Sequence, residues 1–184
     1  MTRTQFLTLA LTMAVTAAVP AYVTWKGYTT MANELPTARI VALDISPEAI
    51  AVARQNASNL GGLDRIEFRQ SDYFSALRDG EQFDLILSNP PYISDEEYKH
   101  LPPEVLADPK ISLTSGEEGL DAVKVILRDA PKYLAPAGRI MFEIGYNQAD
   151  RVSQLTENDS RFGSIVILKD LNDIDRVVIL SCNE

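Results

Sequence analysis

The sequence predicts an α/β fold: a mainly parallel sheet, helices on both faces, and an antiparallel pair of strands at the C-terminus. Strand-like apolar runs alternate with helix-like runs from Leu35 onward. That alternation is the mark of a parallel sheet covered by helices. The last two strand-like runs, Ser164–Leu168 and Arg176–Leu180, are joined only by a short turn holding Asn172-Asp173. A connection that short suits antiparallel pairing.

Each element has a local cause. Arg39 to Leu43 is a short apolar strand ending in Asp44. Ser46 is a good N-cap with Pro47 at the first helical position, so a helix is expected from Pro47 to about Leu60. Ile50, Ala53 and Ala57 fall on one face, and Gly61-Gly62 ends it. Ile66–Phe68 reads as a strand, Ser71–Phe74 as a loop and Phe83–Ser88 as a strand running straight into Asn89-Pro90-Pro91-Tyr92. The polar stretch Ile93 to Glu118 reads as a long loop, a type that is usually functional. A helix is expected over Leu120 to Leu134 with Val123, Ile126, Leu127 and Ala130 inward, then a turn at Pro136-Ala137-Gly138. A strand over Arg139 to Ile144 and a helix from Gln148 to about Leu155 complete the pattern before the final pair.

The chain has 184 residues, within the usual prior for one domain. Its 46% hydrophobic content is enough to build a core. The net charge is −9, and an acidic surface repels phosphate backbones, so stable nucleic-acid binding is not expected. Cys182 is the single cysteine and His100 the single histidine, which exclude an internal disulfide and leave no recognisable metal site.

Residues 1–34 differ from the rest. Phe6 to Val19 is an uncharged apolar run preceded by Arg3, and Val19-Pro20-Ala21 resembles a small-residue cleavage site. The outline is that of a secretory signal peptide. The run is short for a membrane span of about 20 residues. A buried helix or a frame-altered segment are the competing readings. The division expected is an atypical segment over 1–34 and a catalytic domain over 35–184.

In open α/β sheets, ligands bind beyond the carboxyl ends of the strands. Asp44, Asp72-Tyr73 and Asn89 all stand at such ends and are expected to share one rim. An acid like Asp44 suits ribose hydroxyls; Asp72-Tyr73 suits hydrogen bonding and stacking on an adenine. Asn89-Pro90-Pro91-Tyr92 is more specific. Its prolines fix the backbone and remove two N–H donors. The Pro90 carbonyl and the Asn89 side-chain oxygen can then accept both hydrogens of an –NH2 group. Tyr92 adds a flat face for a planar amide or base.

From about Leu35 to Cys182 the sequence resembles the HemK-type release-factor glutamine methyltransferases. The pieces that carry the likeness are Val41–Ser46, Ala53–Asn56, Ser71–Phe74, Phe83–Ile93, Leu113–Leu120 and Phe142–Gly145. The resemblance implies a Rossmann-like class I methyltransferase fold with S-adenosyl-L-methionine as cofactor. It also implies methylation of the glutamine amide nitrogen in the Gly-Gly-Gln motif of peptide chain release factors, which would be the protein partner. By resemblance Asp44, Ile45, Asp72, Tyr73 and Asn89 bind the cofactor, while Asn89, Pro90, Pro91 and Tyr92 bind the substrate. Asn89, Pro90 and Tyr92 are then the catalytic set. The four-residue motif alone is shared with adenine-N6 nucleic-acid methyltransferases, and a non-catalytic remnant is the other alternative. One departure is plain. The family's glycine-rich loop, expected to end about 20 residues before Asp44, is replaced by Ala21-Tyr22-Val23-Thr24-Trp25-Lys26-Gly27-Tyr28. Family-like sequence resumes at Met31, which points to truncation or a shifted frame upstream, and activity is expected to suffer. Ala21–Trp25 is the one candidate for the missing central strand. A cytoplasmic location is expected, since this cofactor is needed where the enzyme works.

Overall fold

The computed structural model describes residues 37–60, 63–157 and 159–183. Residues 1–34, with the signal-like run, the Ala21–Trp25 strand candidate and Gly27, lie outside the described residues, as does the Gly61-Gly62 helix stop. Two compact units divide between Asp79 and Gly80. Among the described residues no helix is long and apolar enough to cross a membrane.

The first unit is a β-α-β element. Strand β1 (Ile40–Asp44) pairs in parallel with β2 (Ile66–Gln70), and helix α1 (Pro47–Leu60) connects them through a single 3-10 turn. Alternation puts Ile40, Ala42, Ile66 and Phe68 on the face that meets Ala53, Ala57 and Ile50 of α1. Ser46 caps the helix as its chemistry requires: its hydroxyl oxygen accepts from the Ala49 backbone N–H at 3.1 Å. Arg54 reaches back across the sheet. Its guanidinium lies over the Phe68 ring at 5.2 Å and donates to the Phe68 carbonyl at 3.0 Å.

The second unit is a four-stranded sheet of order β3-β4-β6-β5, with β3 (Phe83–Ser88), β4 (Leu134–Glu143), β5 (Phe162–Lys169) and β6 (Asp175–Cys182). The β3–β4 pairing is parallel; the β4–β6 and β5–β6 pairings are antiparallel, as the short C-terminal connection demanded. Ile140 and Phe142 of β4 face the same way as their partners Leu180 and Val178 of β6, and all four are fully buried. The helices are α2 (Asp95–Tyr98), α3 (Lys110–Leu113), α4 (Asp121–Asp129) and α5 (Ala149–Glu157). Helix α4 buries Ala122, Val123, Ile126 and Leu127, and α5 packs on β5 and β6 through a face that buries Val152.

Three expectations need correction. The helix expected over Leu120 to Leu134 is α-helical only to Asp129; it continues as a 3-10 turn, Ala130–Tyr133, and Leu134 already belongs to β4. Pro131 is the cause, since it lacks the N–H that an α-helix needs there. The Pro136–Gly138 turn is an irregularity within β4. Ala137 takes φ +62°, and the register against β3 jumps between Phe83↔Leu134 and Leu85↔Arg139. The stretch Ile93 to Glu118 is more regular than a loop: it holds α2, α3 and a parallel bridge between Ile93 and Thr114.

Candidate active site

In the first unit the carboxyl ends of β1 and β2 are tied together, because the Ser71 N–H donates to the Asp44 carbonyl at 2.8 Å. One carboxylate oxygen of Asp44 accepts from the Ser46 N–H at 2.9 Å, which sets the direction of the side chain. Ile45 follows with 44% of its surface exposed, and its carbonyl accepts from the Gln70 side chain. The next loop is built around the buried Ser71. Its hydroxyl donates to the Tyr73 carbonyl at 2.8 Å and accepts from the Ala76 N–H at 2.9 Å, while the Ser75 hydroxyl accepts from the Asp72 N–H. The loop holds Tyr73 at φ +45°. An aromatic residue in the left-handed region is unusual and persists only where its surroundings enforce it. Here those surroundings are the Ser71 and Ser75 hydroxyls. The structure thus brings Asp44, Ile45, Asp72 and Tyr73 to one rim.

In the second unit Asn89 follows directly on the carboxyl end of β3, with Pro90 buried and Pro91 and Tyr92 half-buried. Among the described residues no hydrogen bond takes up the Asn89 side chain or the Pro90 carbonyl. The chain after Tyr92 is zipped to the segment before α4: the Ile93 N–H donates to Leu113, and the Ser115 N–H donates to Ile93. Ser94 then caps α2 with a reciprocal pair, its hydroxyl accepting from the Glu97 N–H while the Glu97 carboxylate accepts from the Ser94 N–H.

Three residues that the motif reading did not assign complete this end of the sheet. Gln148 is 3% exposed. Its side-chain NH2 donates to the Tyr92 carbonyl at 3.0 Å and to the Gly119 carbonyl at 2.9 Å. Its side-chain oxygen accepts from the Gly145 N–H at 2.9 Å. One side chain therefore fixes the turn after β3, the lead-in to α4 and the end of β4. Gly119 makes this possible. It has φ +72°, and a Cβ there would come within 2.4 Å of the Tyr92 carbonyl oxygen, so only glycine fits. Glu143, the last residue of β4, is the third. It is buried, with 6% exposure. The sequence signals for these three are slight: a polar residue beside a strand end and an unremarkable glycine.

Burial is the largest influence on Glu143 and pushes its carboxyl up to about 7, against the pull of Arg176 and the Tyr92 hydroxyl; Asp170 adds to the rise. Burial and the facing Glu143 likewise raise the Tyr92 phenol. A carboxyl whose folded value is raised binds a proton in the native state that the unfolded chain has already released. Stability should therefore fall as pH rises from about 4.5 to about 7, and level off above that. Denaturant unfolding of the native chain and of Glu143→Gln across this window checks the sign. The native-minus-variant difference should decline over the window; a difference that stays flat or climbs contradicts it.

The first unit thus carries acidic and aromatic groups at the ends of its parallel strands, and the second carries a proline-fixed turn at the end of β3. Solved structures of the same fold include a methyltransferase from Pyrococcus furiosus, with a TM-score of 0.61, 16% identity and 84% of this chain and 68% of that chain covered. The ribosomal protein L11 methylase of Lactobacillus delbrueckii is another, with a TM-score of 0.59, 19% identity and coverage of 100% and 81%. The fold is that of the Rossmann-like class I methyltransferases. The chain belongs to the methyltransferase domain family, whose model matches residues 27–176. It is 45% identical over 150 residues to the release factor glutamine methyltransferase of Cereibacter sphaeroides, covering 81% of this chain and 53% of that protein. The protein of the same name from Koribacter versatilis is 38% identical over 151 residues, with coverage of 82% and 52%. A bifunctional methyltransferase of Rickettsia felis is 43% identical over 150 residues, with coverage of 80% and 28%. The chain spans about half the length of the first two relatives.

Proposed function

We propose that this chain carries the catalytic half of a cytoplasmic, S-adenosyl-L-methionine-dependent methyltransferase that acts on the glutamine amide nitrogen of peptide chain release factors. The observation that carries this reading is Asn89–Tyr92 at the carboxyl end of β3, tied down through Gln148, in a chain 45% identical to a protein named for that reaction. The first-unit rim suits a nucleoside: Asp44 has a carboxylate oriented at a strand end, and Tyr73 keeps 37% of its surface exposed beside Asp72. In that setting Asp44 and Ile45 hold the ribose side and Asp72 and Tyr73 flank the base. The bound cofactor supplies an electrophilic methyl group on a sulfonium.

The rest is the work of the chain's own residues. An amide nitrogen is a poor nucleophile because its lone pair is delocalised, so position and orientation are the main lever. The Asn89 side-chain oxygen and the Pro90 carbonyl accept the two amide hydrogens, with Pro91 fixing the turn and Tyr92 giving the planar group a flat surface. These hydrogen bonds strengthen as positive charge builds on nitrogen, so they favour the transition state over the ground state. The net charge of −9 favours a protein substrate over an adenine in nucleic acid.

Residues 21–28 lack the close-approach glycines, so the expected result for the chain as it stands is feeble cofactor binding by titration calorimetry. Replacing residues 23–28 with a family-like glycine loop is expected to restore binding. The restored protein should add one methyl mass to a Gly-Gly-Gln peptide of a release factor. Methylation of DNA adenine with the peptide untouched would transfer the reading to the nucleic-acid class. Cofactor binding with neither substrate methylated would favour the non-catalytic remnant.

A further inference from the structure

The residues between β4 and α5 form a tight turn with an aromatic corner. The Gln148 N–H donates to the Gly145 carbonyl at 3.1 Å, which closes a four-residue turn with Tyr146 and Asn147 at its corners. The Gln148 side chain closes it a second time, because its oxygen accepts from the Gly145 N–H at 2.9 Å. Its NH2 group then ties the turn to the Tyr92 carbonyl at 3.0 Å. Asn147 adds a weaker tie: its side-chain NH2 lies 3.5 Å from a Glu97 carboxylate oxygen of α2. The turn is thus pinned to the segment that carries Asn89 and Pro90. Strand register agrees. β3 and β4 run parallel with Ser88 opposite Phe142, so Asn89 and the 145–148 turn leave the sheet at the same end. Within this fixed frame the Tyr146 side chain contributes little burial. It keeps 65% of its surface exposed, more than any other aromatic side chain among the described residues. A turn corner is ordinarily filled by a small or polar residue, as Asn147 fills the other one. An exposed ring on a pinned backbone has instead the form of a binding anchor. It offers a large flat contact and has little freedom left to lose.

We propose that Tyr146 is a specificity-determining residue that touches the substrate: its ring packs on the peptide planes of the two glycines that precede the target glutamine. This rests on the amide reading of Asn89–Tyr92 given above, and it extends that reading from the glutamine to its neighbours. The acceptor turn takes the amide group itself. What comes against the adjoining turn is then the main chain that leads up to the glutamine. A peptide plane is flat, and an aromatic face can lie directly on it only where no Cβ intervenes. Glycine meets that condition, and alanine at the same positions would hold the ring off. The Tyr146 hydroxyl has no part in this contact, so phenylalanine should serve equally well.

The test titrates the full chain with short peptides by NMR, with the tyrosine rings labelled; the Tyr146 signal is the one that Tyr146→Phe deletes. A Gly-Gly-Gln peptide should shift that signal and bind several-fold more tightly than an Ala-Ala-Gln peptide. Tyr146→Ala should weaken Gly-Gly-Gln binding by about tenfold and bring the two peptides level. Tyr146→Phe should keep both the affinity and the preference. Denaturant unfolding should be unchanged in Tyr146→Ala, as expected for an exposed side chain. Equal binding of the two peptides by the native chain overturns the inference without recourse to any variant. A preference for glycine that survives in Tyr146→Ala overturns it as well. A Gly-Gly-Met peptide separates the inference from the amide reading, since methionine has nearly the length of glutamine and no –NH2 group. It should bind less well wherever Asn89 and Pro90 hold an amide. Glutamine and methionine peptides that bind alike, yet keep the Tyr146-dependent preference for glycine, leave Tyr146 standing and overturn the amide reading. Binding of no peptide overturns both.

Discussion

Asn89→Ala, made in the protein with a restored glycine loop, should slow methylation of a Gly-Gly-Gln peptide by about 10²–10³-fold. The substitution removes the side-chain oxygen that accepts one amide hydrogen and leaves the Pro90 carbonyl as the other acceptor. The lost contact is one that strengthens as the nitrogen gains positive charge, so the effect should fall mainly on kcat, not on peptide KM. Asn89 is exposed at the end of β3, so the fold should be unaffected and far-UV circular dichroism should match the parent. Asn89→Asp keeps an acceptor oxygen and should retain more rate than Asn89→Ala. A rate for Asn89→Ala within a few-fold of the parent would remove Asn89 from the amide site and with it the central claim about substrate.

The parts of this molecule that could be read from sequence are those with short-range causes. Ser46 and Pro47 announce α1 because a cap and a fixed φ act within one turn, and the structure begins the helix at Pro47. Phe83–Ser88 is bounded by composition on one side and by Asn89-Pro90 on the other, and β3 has those bounds. The inward face of α4 follows from helical spacing, and Val123, Ile126 and Leu127 are buried as expected. The partners of Tyr92 could not be read this way. Gln148 meets the Tyr92 carbonyl across 56 residues and the Gly119 carbonyl across 29. Nothing local distinguishes it from the first residue of a helix, the role its position before α5 suggested. Glu143 looked like the end of a strand motif, and only the pairing of β3 with β4 sets it beside the acceptor turn. Pro131 was legible in principle. Its effect was missed because the apolar spacing through Ala130 outweighed it, although the missing N–H ends the α-helix at Asp129. The glycine at 119 gave no sign of its use, because close approach to a carbonyl is a property of the partner as much as of the glycine.

Gln148→Leu should cost about 3–5 kcal/mol of stability, a large share of what holds a domain of this size together. Leucine fills nearly the same volume, so the loss comes from hydrogen bonding and not from a cavity. Two carbonyls, those of Tyr92 and Gly119, and the Gly145 N–H would each lose the partner the structure gives them. An unsatisfied buried polar group costs roughly 1–3 kcal/mol. Partial relaxation toward water brings the total of three below the simple sum. Gln148→Glu is the sharper control. It keeps an acceptor for the Gly145 N–H but points a carboxylate oxygen at two carbonyls, so it should be no better than leucine at neutral pH and should recover in acid, where a protonated carboxyl again donates. Denaturant unfolding gives the loss, and hydrogen exchange gives its location. The amides of Gly145, Ile93 and Ser115 should exchange faster in Gln148→Leu, while those of Leu180 and Val178 should change only as global stability does. A loss under about 1 kcal/mol, or faster exchange spread evenly over the second unit, would mean that the turn after β3 is held by its own prolines and that Gln148 merely fills the space beside it.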